Sequence, residues 1–356
     1  MNNNLKLQAI AIGSLPHNDV NSAIDLVKNN FCEIPFVPQL INISKNEDMI
    51  FQFLEGLPSY NPEEENKVVL DIEDENFLEG LEILIADYKE ILTDPNSEII
   101  EKYRISENFS HAFKKFEELI KNTKPEYAKA QIVGPFTLLT TLTDVNGNYA
   151  IYDETYKEII IKLLTLKALW QFKHIRKASP DTTPIIFMDE PTLSQLGSSA
   201  FISINTNDVV EIINEISNII KENGGISAVH CCGKFDWNIL IKTVVDIIDF
   251  DAYSFSEHIE IYHKEINNFL KNGGKIGWGI VPTLDENILS ELNTEILAEK
   301  YLNSVNNLTK KGIDEKLIID NSILTPSCGA GSLSIQGAQC AMNLVHELSS
   351  ELKKRF

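Results

Sequence analysis

Apolar residues along the chain fall into two alternating rhythms. Short runs rich in β-branched and aromatic residues recur at Leu7–Ile12, Ile34–Pro38, Ala128–Val133, Pro184–Met188, Ile226–Val229, Asp251–Phe255, Lys275–Ile280 and Leu317–Asp320. Between them lie longer stretches of helical period, among them Tyr152–Lys177, Asn207–Asn223, Asn238–Ile248 and Glu295–Lys311. Strands alternating with helices predict βαβ units and a parallel sheet. Eight strands favour closure, so the expected fold is α/β, a single (β/α)8 TIM barrel spanning residues 1–356. From about Asn61 to Lys124 the alternation gives way to acidic, helix-prone sequence such as Glu63-Glu64-Glu65 and Phe113–Ile120. This stretch is expected to be a helical insertion packed beside the barrel, its charge runs forming solvated helix faces.

Most predicted strand ends carry small or chemically active residues: Gly13-Ser14, Gly134-Pro135, Asp189-Glu190-Pro191, His230-Cys231-Cys232, Ser254-Phe255-Ser256, Gly279-Ile280-Val281-Pro282 and Cys328-Gly329. In a parallel barrel all C-terminal strand ends converge on one mouth, where active sites form. Motifs far apart in sequence are therefore expected to share a pocket.

Composition narrows the partners. The 356 residues carry 31 Lys+Arg against 52 Asp+Glu, a net charge of −21, with the acidic residues spread along the chain. A field of that sign repels phosphate backbones and anionic lipid, so neither nucleic acid nor a membrane is expected as partner. The first twelve residues are too weakly patterned for a signal peptide, and no apolar run reaches a membrane-spanning length, so a cytoplasmic protein is expected. Five cysteines, two of them adjacent, do not make a disulfide framework. Beside a histidine in a reducing compartment, they read as metal ligands or reactive thiols.

Successive strand side chains face opposite ways, so His230 and Cys232 share a side while Cys231 points away as packing. A further cysteine, Cys328, follows the last predicted strand next to a glycine turn. One imidazole and two soft thiolates select zinc over magnesium or calcium, and three protein ligands leave a position for substrate. A thiol there would lose its proton and become a nucleophile at neutral pH, which suits alkyl transfer better than hydrolysis. In Phe187-Met188-Asp189-Glu190-Pro191 the functional reading gives Asp189 a substrate ammonium group, with Glu190 in support. The alternative for either carboxylate is a helix cap. Gly13-Ser14 offers backbone N–H groups and a hydroxyl to a carboxylate. Cys32 and Cys340 are expected in the core, and His17 and His258 at the surface or lining the mouth.

With these motifs together, the chain resembles the catalytic C-terminal half of cobalamin-independent methionine synthase, within the wider superfamily that includes uroporphyrinogen decarboxylase. The matches are Ile12-Gly13-Ser14-Leu15-Pro16, Gly134-Pro135-Phe136-Thr137, Asp189-Glu190-Pro191, His230-x-Cys232 and Cys328-Gly329, in the family's order. The resemblance implies that His230, Cys232 and Cys328 are zinc ligands, that Gly13 and Ser14 contact an amino-acid carboxylate, and that Asp189 contacts its amine. The implied acceptor is homocysteine or a similar thiol. In the synthase a glutamate on the strand after the H-x-C strand completes the zinc site; here Ser256 matches it, with Glu257 beside it. A three-ligand site instead resembles zinc methyltransferases that pass a methyl group from a corrinoid protein to coenzyme M. The chain has room for one barrel where the full synthase has two, so a methyl-corrinoid protein or methylcobalamin is the expected donor ahead of methyltetrahydrofolate. Two rivals are a decarboxylase-like lyase acting on a tetrapyrrole, which lacks its arginine-rich motif here, and a non-catalytic zinc- or corrinoid-binding accessory protein.

Overall fold

The structure, a computed structural model, describes residues 5–58, 60, 69–94 and 97–356. Its strands in chain order are β1 (Val69–Leu70), β2 (Tyr127–Val133), β3 (Thr143–Asp144), β4 (Thr183–Asp189), β5 (Ile226–Cys231), β6 (Ile247–Phe250), β7 (Lys275–Val281) and β8 (Ser322–Pro326). Six of them form one parallel sheet in the order β2-β4-β5-β6-β7-β8, and the two-residue β1 and β3 pair separately. Helices follow the strands of the large sheet, notably Glu154–Ala178, Thr206–Glu222, Thr294–Lys310 and Ile335–Arg355.

The two faces of the sheet bury different things. Ile186, Met188, Val229, Ile248 and Leu324 pack with the helices in the larger apolar cluster, while Ile185, Phe187, Ala228, Ile247 and Ile323 join Leu5, Ile10 and Ile34 in a smaller cluster on the opposite face. Alternation along each strand thus separates an outer core from an inner one.

The sheet is not closed into an eight-stranded ladder. The expected strands Leu7–Ile12 and Ile34–Pro38 are extended segments held by isolated parallel bridges, Ala9 to Leu324, Ser14 to Gln39 and Phe36 to Lys129. Pro35 and Pro38 lack the N–H groups that a continuous ladder needs, and Leu7 adopts a positive φ of 54°. Side chains fasten the gap from within: Lys129 Nζ donates to the Ile12 carbonyl, and Gln131 Nε2 donates to that of Val37 at 3.0 Å.

Two other expected strands move by a few residues. Asp251–Phe255 opens the helix Ala252–Ile259, whose cap is the Asp251 carboxylate, and the strand precedes it at Ile247–Phe250. Leu317–Asp320 belongs to the helix Glu315–Asp320, and β8 starts two residues later. The expected helix Asn238–Ile248 accordingly shortens to Trp237–Ile241. Within the expected insertion, Glu63-Glu64-Glu65 lies outside the described residues. Helix Glu75–Thr93 packs Phe77, Leu84, Tyr88 and Ile91 into the main core, and helix Phe113–Thr123 leads into β2 as an ordinary member of the alternation. No described helix is long and apolar enough to cross a membrane.

Candidate metal centre

Three neighbouring strands place Asp189, His230 and Asp249 in one row, because Asp189 pairs in register with His230 and His230 with Asp249. All three are buried, and they face the inner side of the sheet near its C-terminal edge. Cys232 follows one residue past the end of β5, and Cys328 two residues past β8. The candidate ligand atoms of His230, Cys232 and Cys328 lie within 4.8 Å of one another. Among the described residues this group could hold a metal ion.

Asp249 organises the histidine. Its Oδ1 accepts from His230 Nδ1 at 2.5 Å, and its Oδ2 accepts from Thr325 Oγ1 at 2.7 Å. A carboxylate on Nδ1 fixes the tautomer that leaves Nε2 as the ligating atom. That Nε2 is buried without a hydrogen-bond partner among the described groups. Buried imidazole nitrogens are ordinarily satisfied, so an orphan aimed at two thiol sulfurs fits a cation. Room for Asp249 comes from Gly277, where a Cβ would fall 2.1 Å from Asp249 Oδ2.

The electrostatics of the metal-free group point the same way. Burial disfavours the His230 cation, yet the hydrogen bond to Asp249 and the negative charge of the neighbouring Cys232 outweigh it and raise the imidazole to about 10. A hydrogen bond from Cys328, against burial and together with His230, pulls Cys232 down to about 4, while Cys328 is pushed up by that thiolate and by burial. The shifts favour charge separation between His230 and Cys232, and a cation bound by the group would take the place of protons on its ligand atoms.

Other residues singled out by the sequence fall at various distances from this chemistry. Asp189 is 4% exposed, and its Oδ1 has no hydrogen-bond partner. Burial raises its pKa, with Lys129 and His230 opposing. Lys129 is itself fully buried and lowered to about 8 by desolvation, against the pull of Asp189 and Asp249. Glu190 turns elsewhere: Oε1 accepts from the Phe136 N–H at 2.9 Å, and Oε2 accepts from Thr137 N–H and Thr137 Oγ1, each at 2.7 Å. It caps the start of helix Pro135–Leu139 from across the sheet edge, as the helix-cap alternative for this carboxylate has it. Ser14 lies against the Cys328 turn, its carbonyl accepting from the Ala330 N–H at 2.9 Å.

Ser256 and Glu257 do not join the ligand group. The strand ends at Phe250, so both ride on the following helix, and Glu257 is exposed in a surface groove with Glu260, Asn307 and Lys311. Cys231 is buried in the outer core with its Sγ 3.7 Å from the Gly233 carbonyl. Cys32 and Cys340 are exposed instead of in the core. His17 is buried, 3% exposed, with Nδ1 unpartnered and its pKa lowered by burial. His258 is half-buried in a cleft with Leu193, Phe235 and Tyr262. Asp249, Lys129 and Thr325 are the site residues that the motifs missed. The one sequence signal was a polar residue at an inward strand position, Asp249 between Ile247 and Phe250.

No protein-family model matches the sequence, and no curated protein matches it. Among solved structures the chain is similar to GH10 from Paenibacillus barcinonensis at 10% identity, over 67% of this chain and 68% of that chain, with a TM-score of 0.24. At that TM-score the likeness supports neither a fold nor an activity for this chain.

Proposed function

We propose that the chain is a zinc-dependent methyltransferase that moves a methyl group to a small thiol such as homocysteine, with a methyl-corrinoid as donor. In this reading the six-stranded sheet and its two bridging segments make a (β/α)8 barrel of the methionine synthase-like kind, working in the cytoplasm. The observation that carries it is the convergence of His230 Nε2, orphaned and buried, with the sulfurs of Cys232 and Cys328. The three ligand atoms lie within 4.8 Å of one another, and a tetrahedral ion with bonds of about 2.0 Å to nitrogen and about 2.3 Å to sulfur would draw them to roughly 3.5 to 3.8 Å apart. Zinc bound there supplies a Lewis acid that lowers the pKa of a thiol.

The chain's own residues do the rest. Asp249 holds the Nδ1–H of His230, so Nε2 stays free of a proton when a cation is bound. Three ligands leave one position open, and no carboxylate among the described residues fills it. Asp189, buried with one oxygen unpartnered, is suited to take the ammonium group of an amino-acid thiol. Gly13 and Ser14, beside the Cys328 turn, are suited to its carboxylate. Holding both ends of the amino acid would orient the sulfur toward an incoming methyl group.

The test combines metal analysis with turnover. The purified chain should carry about one zinc, and with homocysteine it should demethylate methylcobalamin, read as a change in cobalamin absorbance matched by thioether formed. Efficient turnover of methyltetrahydrofolate with inert methylcobalamin would overturn the corrinoid donor. Bound zinc with no activity on either donor would leave the accessory-protein role, and decarboxylation of a porphyrinogen by a metal-free chain would replace the reading altogether.

A further inference from the structure

The strand end Gly279-Ile280-Val281-Pro282 has no part in the chemistry above, yet β7 breaks its register with β8 there, between Gly279 and Val281. Gly279 lets the backbones close in: a Cβ at that position would fall 2.5 Å from the Phe250 carbonyl oxygen and 2.9 Å from Ser327 Cα. Bulges of this kind re-aim the chain beside functional sites. Here the irregularity brings Val281 to accept from the Ser327 N–H at 2.8 Å and carries the chain on to Thr283. Thr283 is fully buried. Its N–H donates to Ser327 Oγ at 3.2 Å, and its Oγ1 donates to the Cys328 carbonyl at 3.1 Å. The Ser327 and Thr283 hydroxyls lie 3.4 Å apart.

From the opposite side Ser14 meets the same turn. Its carbonyl accepts from the Ala330 N–H, and its Oγ lies 3.4 Å from the Gly331 nitrogen that donates to it. A Cβ on Gly329 would fall 2.0 Å from that Oγ, so the turn passes directly over the serine. Cys328 lies outside every strand, and its backbone is held between these two contacts. A ligand on a turn keeps its geometry only if its neighbours fix that turn, and outer partners of metal ligands typically contribute about 10- to 100-fold in affinity.

We propose that Thr283 is a positioning residue that latches Cys328 into the metal-binding geometry, with Ser14 as the opposing stop. The inference rests on the zinc reading of the site and adds to it a residue just past β7, a strand that contributes no ligand. Ser14 thereby has a task on the Cys328 turn in addition to the substrate contact that its motif suggests. Thr283→Val keeps the shape and removes the hydroxyl, whereas Thr283→Ser keeps the hydroxyl.

The experiment measures Zn²⁺ affinity by chelator competition, and thiolate-to-metal charge-transfer absorption after Co²⁺ substitution, on the full chain. Thr283→Val should bind Zn²⁺ about 10-fold or more weakly and lose charge-transfer intensity, and Thr283→Ser should restore both. Ser327→Ala, which removes the partner of the Thr283 N–H, should weaken Zn²⁺ binding in the same sense by a smaller factor. It keeps the proposal open to refutation should Thr283→Val not fold. Wild-type affinity and intensity in Thr283→Val, or in Ser327→Ala where only that variant folds, overturn the latch, as does a lowered melting temperature with unchanged metal binding. Cys328→Ser in the same assay separates the two ideas: undiminished Zn²⁺ binding there would sink the metal reading itself.

Discussion

His230 donates its Nδ1–H to Asp249 across adjacent strands, at 2.5 Å and with both side chains buried. Because Thr325 occupies the other carboxylate oxygen, Asp249 cannot swing away, and the imidazole is held with Nε2 facing the two sulfurs. Asp249→Ala should therefore lower Zn²⁺ affinity by about 10- to 100-fold while leaving all three ligands in the chain. Isothermal titration against a chelator-buffered Zn²⁺ solution would check it. Unchanged affinity would mean that the carboxylate serves only to satisfy a buried imidazole.

Cys231 and Cys232 are adjacent in sequence and opposite in environment, one in the outer core and one beside Cys328. Cys232→Ser and Cys328→Ser should each release the metal from a chain that stays folded, since the apolar core does not depend on an ion. Cys231→Ser should keep it. Metal content by mass spectrometry alongside circular dichroism decides the matter, and retention by Cys232→Ser with loss in Cys231→Ser would invert the assignment of strand faces.

The shared side of His230 and Cys232 was legible in the sequence because strand periodicity is local: His230, Cys231 and Cys232 sort onto faces from their order alone. The parallel sheet was legible from alternating rhythms. What the rhythms blurred were elements joined by very short turns. The apolar positions of Trp237–Ile241 run on through Val244-Val245 into Ile247–Phe250, so a short helix, a turn and a strand read as one helix. The run Leu317-Ile318-Ile319 fits a strand as well as it fits the helix that Asp314 caps. Asp249 and Lys129 were invisible because a lone charged residue in an apolar run declares its partner only through pairing across strands, as Asp249 does with His230. Which of the two readings of Glu190 its hydrogen bonds favour was hidden for the same reason, since its partners Phe136 and Thr137 lie more than fifty residues away.

Burial raises Glu190 from its ordinary value to about 7, against hydrogen bonds from Thr137 and Phe136 that favour its charged form. An acid whose folded pKa lies above its unfolded one binds its proton more tightly when folded. Its contribution to stability is complete below about pH 4.5 and is lost as pH rises through about 7. Glu190→Gln cannot titrate, so between those limits its denaturation midpoint should fall less steeply with pH than that of the wild-type chain. Parallel slopes for the two proteins across urea titrations at several pH values would show that Glu190 is not the group responsible.

Asp189 is the remaining unsatisfied carboxylate of the inner row, and its role turns on what occupies Oδ1. Lys129 and His230 favour its charge from a distance, while burial penalises it, so the group is costly to leave without a direct partner. An ammonium group supplied by the acceptor thiol would be that partner, in a charge-assisted hydrogen bond of about 1.5 to 3 kcal/mol. Asp189→Asn should then weaken an amino-acid thiol by that amount and leave unchanged a thiol of equal length lacking the amine. Zinc content should stay at the wild-type level in the variant, because Asp189 is not among the ligands. Competition of the two thiols for the zinc-loaded chain, measured for wild type and Asp189→Asn, gives the answer. Equal weakening of both thiols would assign Asp189 to holding the floor of the site together with Lys129, and a loss of zinc would place it in the metal's own surroundings.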